Sequence, residues 1–421
     1  MKIHYKKREC TIYLYYKEKL SFDEKIVWIL TVCLIVCFTV LETYTWGRYL
    51  FLALTVLIYF FYVYSKRKIL FPVEEFQKYG LLFDGYVFLS CLWAWNKTAT
   101  FGKGITIFQI VVLFSFVYMY YARKTDTRML ISAIKWAGIV VAIYTISYFG
   151  IDGIITASTS YYRIENTFSN ANNIGMICAI SIFIEIFCII YEKVTWNSIF
   201  IVPCLLALTA TQSRKAFIFV IVGTIALIIM KSREEKNLKK TILTLMGLII
   251  VIVLGIKLLS TLEIFAGVND RMKGLFGMFG SSSNVVDHST RLREQMSELG
   301  IAWWLKYPLT GIGIGCPYLL NSQFLGERAY LHNNYVELLC GGGIFGTVLY
   351  YLGYIYIIYN LIKYRKADFQ IFIISFVWII LALAMDYGMV TYYEKTQWFY
   401  MMVHFLNIRY LRKKMEEYNG M

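Results

Sequence analysis

Charge is scarce in this chain. Asp, Glu, Lys and Arg make up only 16% of its 421 residues, against about 25% in soluble globular proteins. Proline and histidine occur four times each, so extended proline-rich linkers are excluded. The nine cysteines include no CxxC pair, and most fall inside apolar runs. They read as small buried hydrophobes, neither a disulfide framework nor a zinc site. No Walker motif is present, which argues against ATP coupling in this chain. The first 25 residues are basic and polar, but no A-x-A cleavage site follows the first apolar run, so an uncleaved first helix is expected. No solenoid-length repeat and no low-complexity tract is visible.

What replaces charge is apolar surface: 58% of residues are hydrophobic. A chain of this length buries only about three quarters of its surface in a soluble fold, so a bilayer is the expected solvent. At about 20 residues per crossing, the apolar runs read as spans near 26–46, 48–64, 80–96, 104–121, 129–149, 174–191, 196–212, 216–230, 241–260, 336–359, 369–387 and 396–409. The expected fold class is therefore all-α: a polytopic integral membrane protein of about 12 transmembrane helices, with one large outer-face loop between spans 9 and 10. The organisation reads as a cytoplasmic N-terminal segment (1–25), spans 1–9 (26–260), an outer loop (261–335), spans 10–12 (336–409) and a cytoplasmic tail (410–421).

The net charge of +15 tests this layout, because membrane proteins collect Lys and Arg on the cytoplasmic side. With the N-terminus inside, 27 of the 42 basic residues fall on the inner side and 13 on the outer. Both termini are expected in the cytoplasm. The basic balance is an orientation signal and gives no reason to invoke nucleic acid.

The outer loop is not expected to be structureless. In 288–307, Leu292, Met296, Leu299 and Trp303 recur at helical spacing, which gives one apolar face. Trp303 and Trp304 suit a membrane interface, and Pro308 ends the helix. An amphipathic cap explains that face but not Arg291 and Arg293 at its start.

Four polar pieces gather on the outer side: Arg163 in YRIENTFSNANNIG (162–175), Arg214 in TQSRKAF (211–217), Arg293 or Arg291 in STRLREQ (289–295), and His332 in LHNNYVELLCGGGIFG (331–346). A single outer arginine is ordinarily a solvated or snorkelling residue. Several together suit phosphate or pyrophosphate, because each guanidinium is planar, always charged and pairs two oxygens. A neutral imidazole among them can accept a proton, since like charges lower its pKa. His288 is a reserve base. GIGIG (311–315) follows no βαβ pattern and reads as a flexible turn, and GGG (341–343) reads as a close helix-packing site. Asp84, Glu185 and Asp386 lie within spans, either as proton or ion sites or as satisfied interhelical bonds.

In order and spacing these pieces resemble the O-antigen ligase and Wzy-type polysaccharide polymerase superfamily. The matching segments are TFSNANNIG (167–175), TQSRKAF, STRLREQ with PLTGIGIG (308–315), and HNNYVELLCGGGIFG, with LWAWN (92–96) in the family's style. The resemblance spans roughly residues 80–360. It implies a GT-C-like membrane glycosyltransferase in the bacterial cytoplasmic (inner) membrane, multi-pass, without a cofactor or metal. Such proteins move glycan from an undecaprenyl-pyrophosphate carrier to an acceptor, either another lipid-linked repeat unit or lipid A-core. His332 then stands at the family's histidine. Arg163, Arg214 and Arg293 (Arg291 its rival) stand as pyrophosphate ligands, supported by Lys215, Asn333 and Asn172. Lys215 departs from the family, where glycine is common. The implied partners are the bilayer, the lipid-linked oligosaccharide, the glycan or lipid A-core acceptor, a flippase and a chain-length regulator. A polymerase is expected over a ligase on numbers alone, since one genome needs many polymerases and few ligases. Twelve spans also suit a lipid-linked oligosaccharide flippase. Transporters, however, place substrate at mid-bilayer between repeats, and here no repeat is visible, proline interrupts only one span (Pro203), and the polar cluster is at the outer face.

Overall fold

The computed structural model of the chain describes residues 20–41, 43–66, 73–124, 126–159, 164, 170–192, 194–235, 242, 244, 246–247 and 288–419. Its principal helices are α1 (Phe22–Val40), α2 (Thr45–Lys66), α3 (Glu75–Ser90), α4 (Lys97–Ala122), α5 (Arg128–Thr159), α6 (Ala171–Tyr191), α7 (Ile201–Thr211), α8 (Arg214–Glu235), α9 (His288–Lys306), α10 (Asn334–Lys363), α11 (Phe369–Met385) and α12 (Lys395–Asn419). No strand occurs among the described residues. The expected ninth span, 241–260, lies almost wholly outside them, as does the loop over 261–287.

Among the described residues, six helices are long and apolar enough to cross a membrane: α2, α4, α5, α6, α8 and α10. α11, and α7 with the 3₁₀ turn Trp196–Phe200 that leads into it, are apolar but shorter. The protein is a multi-pass membrane protein. Its outward side chains fit that solvent: Leu57, Phe60, Val222, Phe345, Val348, Ile355 and Tyr359 are exposed, in stripes too apolar for water.

Three boundaries differ from the sequence reading. α1 starts four residues early on a capping box, in which Ser21 and Glu24 satisfy each other's backbone N–H groups, and it stops at Val40. There Tyr44 N–H to Leu41 O and Gly47 N–H to Tyr44 O fold the chain back. α3 stops at Ser90, not 96, because the residues beyond it are engaged elsewhere. Trp95 N–H donates to Ile312 O (3.0 Å), Trp93 Nε1 donates to Thr310 O (3.1 Å), and Asn96 caps α4 through Ala99 N–H (3.0 Å). Pro203 does not interrupt a helix. It sits in the first turn of α7, where its missing N–H would have no helical partner.

The helices segregate two ends. At one, ion pairs tie α1 to the turn after α4 (Lys124 to Glu24), the residue before α3 to α12 (Arg409 to Glu74, 2.5 Å), and α5 to the start of α11 (Arg128 to Asp368, 2.8 Å). Lys414 also reaches Asp368 (2.8 Å). Burial would raise the Asp368 carboxyl, but Arg128 and Lys414 hold it down at about 2. Between the ends the core is aromatic, with Phe38, Phe114 and Phe399 in mutual contact. α6, packed on α5, α7 and α8, is largely enclosed. It carries Glu185, which pairs with Lys135 of α5 (2.8 Å) and accepts from Ser198 (2.8 Å).

At the opposite end the two glycine motifs interlock. α10 breaks at Gly343 (φ 61°, ψ −166°). The break frees backbone groups that an apolar environment cannot satisfy. The 308–313 segment supplies their partners: Ile312 and Gly313 N–H donate to Cys340 and Gly341 O (2.9 and 2.8 Å), and Ile344 and Phe345 N–H donate to Pro308 and Leu309 O (2.9 and 3.2 Å). A Cβ on Gly343 would lie 2.3 Å from the Leu309 carbonyl, and one on Gly311 2.5 Å from the Gly341 carbonyl carbon. GIGIG is therefore a buried, fixed segment and not a flexible turn, and GGG receives a loop where helix packing was expected.

Candidate functional site

The site end is built from helix starts. α8 begins with Arg214 and Lys215, both half-buried, at the electropositive end of a helix. The turn before them is held firmly. Gln212 adopts the left-handed conformation (φ 48°), and its Nε2 donates to Ala157 O (2.6 Å). Ser213 Oγ donates to Asn172 Oδ1 (3.1 Å), which ties α8 to the first turn of α6. Lys215 Nζ donates to Gly388 O in the loop between α11 and α12.

That loop is in turn fastened to α10. Asn334, fully buried, donates its backbone N–H to Asp386 O (2.8 Å). Its Nδ2 donates to Tyr351 Oη (3.0 Å) and Asp386 Oδ2 (3.1 Å), and its Oδ1 accepts from Thr391 and Tyr392 N–H (2.9 and 3.2 Å). Asp386 also accepts from Thr391 Oγ1 (2.6 Å) and Tyr351 Oη (2.9 Å). Of the two readings open for Asp386, this is the satisfied interhelical node. Asn333 caps α10 by accepting from Tyr335 and Val336 N–H (3.0 and 3.3 Å). A hydrogen-bonded belt thus runs from α6 through α8 and the 386–392 loop to the start of α10.

His332 sits at the end of this belt, one residue before the cap. Its backbone is left-handed (φ 57°), a conformation that costs a non-glycine residue about 1 kcal/mol or more. It is pinned on both sides. Leu331 N–H donates to the buried carboxylate of Glu337 (2.8 Å), and Asn333 begins the helix. The His332 ring lies 4.4 Å from that of Tyr330. Burial pulls the imidazole down to about 4, and the charges of Arg293 and Lys215 push the same way. His332 is therefore held in the neutral form at pH 7, the form of an imidazole that can accept a proton.

α9 lies over this region. Its stripe of Leu292, Met296, Leu299 and Trp303 packs into a small core with Ala94, Ile312 and Leu331. Trp303 meets Trp95 edge-on (4.7 Å between ring centroids), so the stripe serves internal packing. Arg291 and Arg293 are both exposed at its start. Of the two, Arg293 is the one whose charge bears on His332 and on Tyr330. Arg163 lies outside the described residues, as does the side chain of His288. Below the start of α8, a narrow cleft of about 60 Å³ opens between α6, α8, α11 and α12. It is walled by Met176, Phe219 and Trp378, with Asn173 and Glu394 also lining it.

The structure brings the charges of Arg293 and Lys215 to bear on His332, sets Asn333 beside it as the α10 cap, and ties Asn172 to Ser213, next to Arg214 in the chain. It adds residues that sequence reading passed over: Asn334, Glu337 and Tyr330. Adjacent asparagines look equivalent in sequence, and only the fold makes one a cap and the other a buried four-way clamp. Glu337 gave a faint signal, as a carboxylate inside an apolar run.

Residues 199–351 match the family model described as O-Antigen ligase. The match runs from the end of the 3₁₀ turn into α10 and contains Arg214, Lys215, Arg291, Arg293, His332 and Asn333, while Arg163 and Asn172 fall outside it. No curated protein matches the chain.

Proposed function

We propose, from the premise that residues 199–351 form an O-antigen ligase family domain, that this membrane glycan-processing enzyme is a glycosyltransferase using an undecaprenyl-pyrophosphate-linked donor. The observation that carries the reading is a neutral His332 under the charges of Arg293 and Lys215, on a belt that also holds Arg214. Pyrophosphate is already a good leaving group, so no carboxylic acid need protonate it. His332 removes the proton from an acceptor sugar hydroxyl as its oxygen attacks the anomeric carbon. The bond from that carbon to the pyrophosphate oxygen breaks, and the electron pair leaves with the pyrophosphate. Arg214, Arg293 and Lys215 stabilise the charge that develops there. A single displacement inverts the anomeric centre.

Burial is the main cause of the low basicity of His332, and bound pyrophosphate would offset the smaller part that Arg293 and Lys215 contribute. Among members of this chemistry we favour a polymerase extending a lipid-linked repeat over a ligase to lipid A-core. Both termini are assigned to the cytoplasm by the basic loops, which sets the site at the outer face. We assay transfer with purified full-length chain in lipid nanodiscs and lipid-linked oligosaccharide as donor. His332→Asn, which tolerates a left-handed backbone, and Arg214→Ala are expected to lose about 10²-fold or more of the rate. Wild-type rates in both correctly inserted variants would reject the assignment. A ladder of repeats marks a polymerase, and a single addition to lipid A-core marks a ligase.

A further inference from the structure

A groove of about 720 Å³ runs between the N-terminal half of α4 and the loop that carries His332, within the size range of small-molecule sites. Its walls include Lys103, Tyr318, Arg328, Tyr330, Glu337 and Tyr393. Two of these belong to the His332 apparatus: Tyr330 is in ring contact with the imidazole, and Glu337 holds the Leu331 backbone. The groove therefore comes within one side chain of the base, with the Tyr330 ring between its lining and His332. None of Arg214, Lys215 and Arg293 is among its lining residues.

We infer that this groove is the acceptor-glycan subsite, taking a sugar whose nucleophilic hydroxyl is presented to His332 from the α4 side. The inference rests on the glycosyltransferase reading above and assigns one of its two substrates to a place. Three tyrosines offer ring faces on which the apolar C–H face of a pyranose can lie, together with phenol groups that can hydrogen-bond its hydroxyls. Lys103 and Arg328 are donors and Glu337 is an acceptor, the mixture a polyhydroxylated ligand requires. The balance of charge separates this groove from a pyrophosphate site. Lys103 lies with its Nζ 3.1 Å from the centre of the Tyr393 ring, and Glu337 and Glu394 lie near enough to offset its charge. The apolar cleft under α8 is a separate space beside the pyrophosphate ligands. The two substrates would thus reach His332 from different sides.

Gly102 gives a test that spares the fold. It lines the groove, and a Cβ added there meets nothing within 4 Å. Gly102→Leu fills the groove while favouring the helix. Lys103→Met keeps the stem over Tyr393 and removes the charge. Purified full-length chain in nanodiscs is assayed with lipid-linked oligosaccharide as donor. The acceptor is the lipid-free oligosaccharide released from that carrier, and each is varied in turn. Gly102→Leu is expected to raise the acceptor KM by about tenfold or more and to leave the donor KM unchanged, with Lys103→Met shifting in the same sense. A rise in donor KM, alone or together with acceptor KM, or no change in either, overturns the assignment. Failure of the underlying reading looks different: the wild-type chain then yields no His332-dependent product at all.

Discussion

Replacing Asn334 with alanine tests the belt that positions the base. The side chain makes four hydrogen bonds, two donated and two accepted, and it is fully buried. Interhelical hydrogen bonds in membrane proteins average roughly 0.6 kcal/mol, so four are worth about 2.4 kcal/mol if every partner finds a substitute. Two of the partners cannot easily do so. The Thr391 and Tyr392 N–H groups would be left buried without an acceptor, at about 1–3 kcal/mol each. The expected loss lies between roughly 2 and 6 kcal/mol. Asn360→Ala is the control, because that amide sits on the same helix and donates locally, to the Tyr356 carbonyl (2.9 Å); about 1 kcal/mol is expected there. Unfolding by a graded denaturing detergent separates the two variants. Transfer should fall as well, because a shift of about 1 Å in a catalytic group costs on the order of 10²-fold, and His332 is two residues from the clamp. If Asn334→Ala unfolds like Asn360→Ala and transfers glycan at the wild-type rate, the belt does not hold His332 and the reasoning fails.

Two further outcomes follow from the same geometry. Lys215→Met removes a positive charge that depresses His332, so the imidazole pKa should rise from about 4. Because the neutral form is the active one, the acid-side loss of kcat/KM should begin at higher pH than in the wild type; an unmoved or lowered acid limb would contradict this. Gly343→Ala should lower thermal stability in detergent far more than Gly150→Ala. Both glycines combine a positive φ with an extended ψ (61°, −166° and 69°, 169°), a region almost confined to glycine, so both share that conformational cost, but only at position 343 does the new Cβ strike the Leu309 carbonyl. Equal destabilisation would mean that the loop and the broken helix are not interlocked.

The candidate site was legible where its chemistry is carried by rare residues. In a chain with so little charge, an arginine or histidine in a polar segment between apolar runs stands out, and Arg214, the Arg291/Arg293 pair and His332 are singled out on that ground. The α9 stripe was equally readable from its spacing. Less visible was anything that depends on backbone geometry. GIGIG and GGG are thirty residues apart, and each alone suggests an ordinary use of glycine. Their joint use requires knowing that one supplies the carbonyls the other's N–H groups need. The choice between Arg291 and Arg293 could not be made from spacing, since both lie at the start of one helix and only proximity to His332 separates them. Asn333 and Asn334 differ in the same way.

Composition and hydrophobic run length determined by themselves that this is a multi-pass helical membrane protein, because burying 58% apolar residues needs lipid as solvent. The motif order gave the resemblance, and residues 199–351 match the O-Antigen ligase family model. The tertiary structure decided which polar groups act together. It set Lys215 on the α11–α12 loop, made Asp386 a structural acceptor, broke α10 at Gly343 and opened a groove beside Tyr330. Those outcomes depend on distances between segments far apart in the chain, and in an apolar interior each freed N–H or carbonyl must find its partner there or not at all.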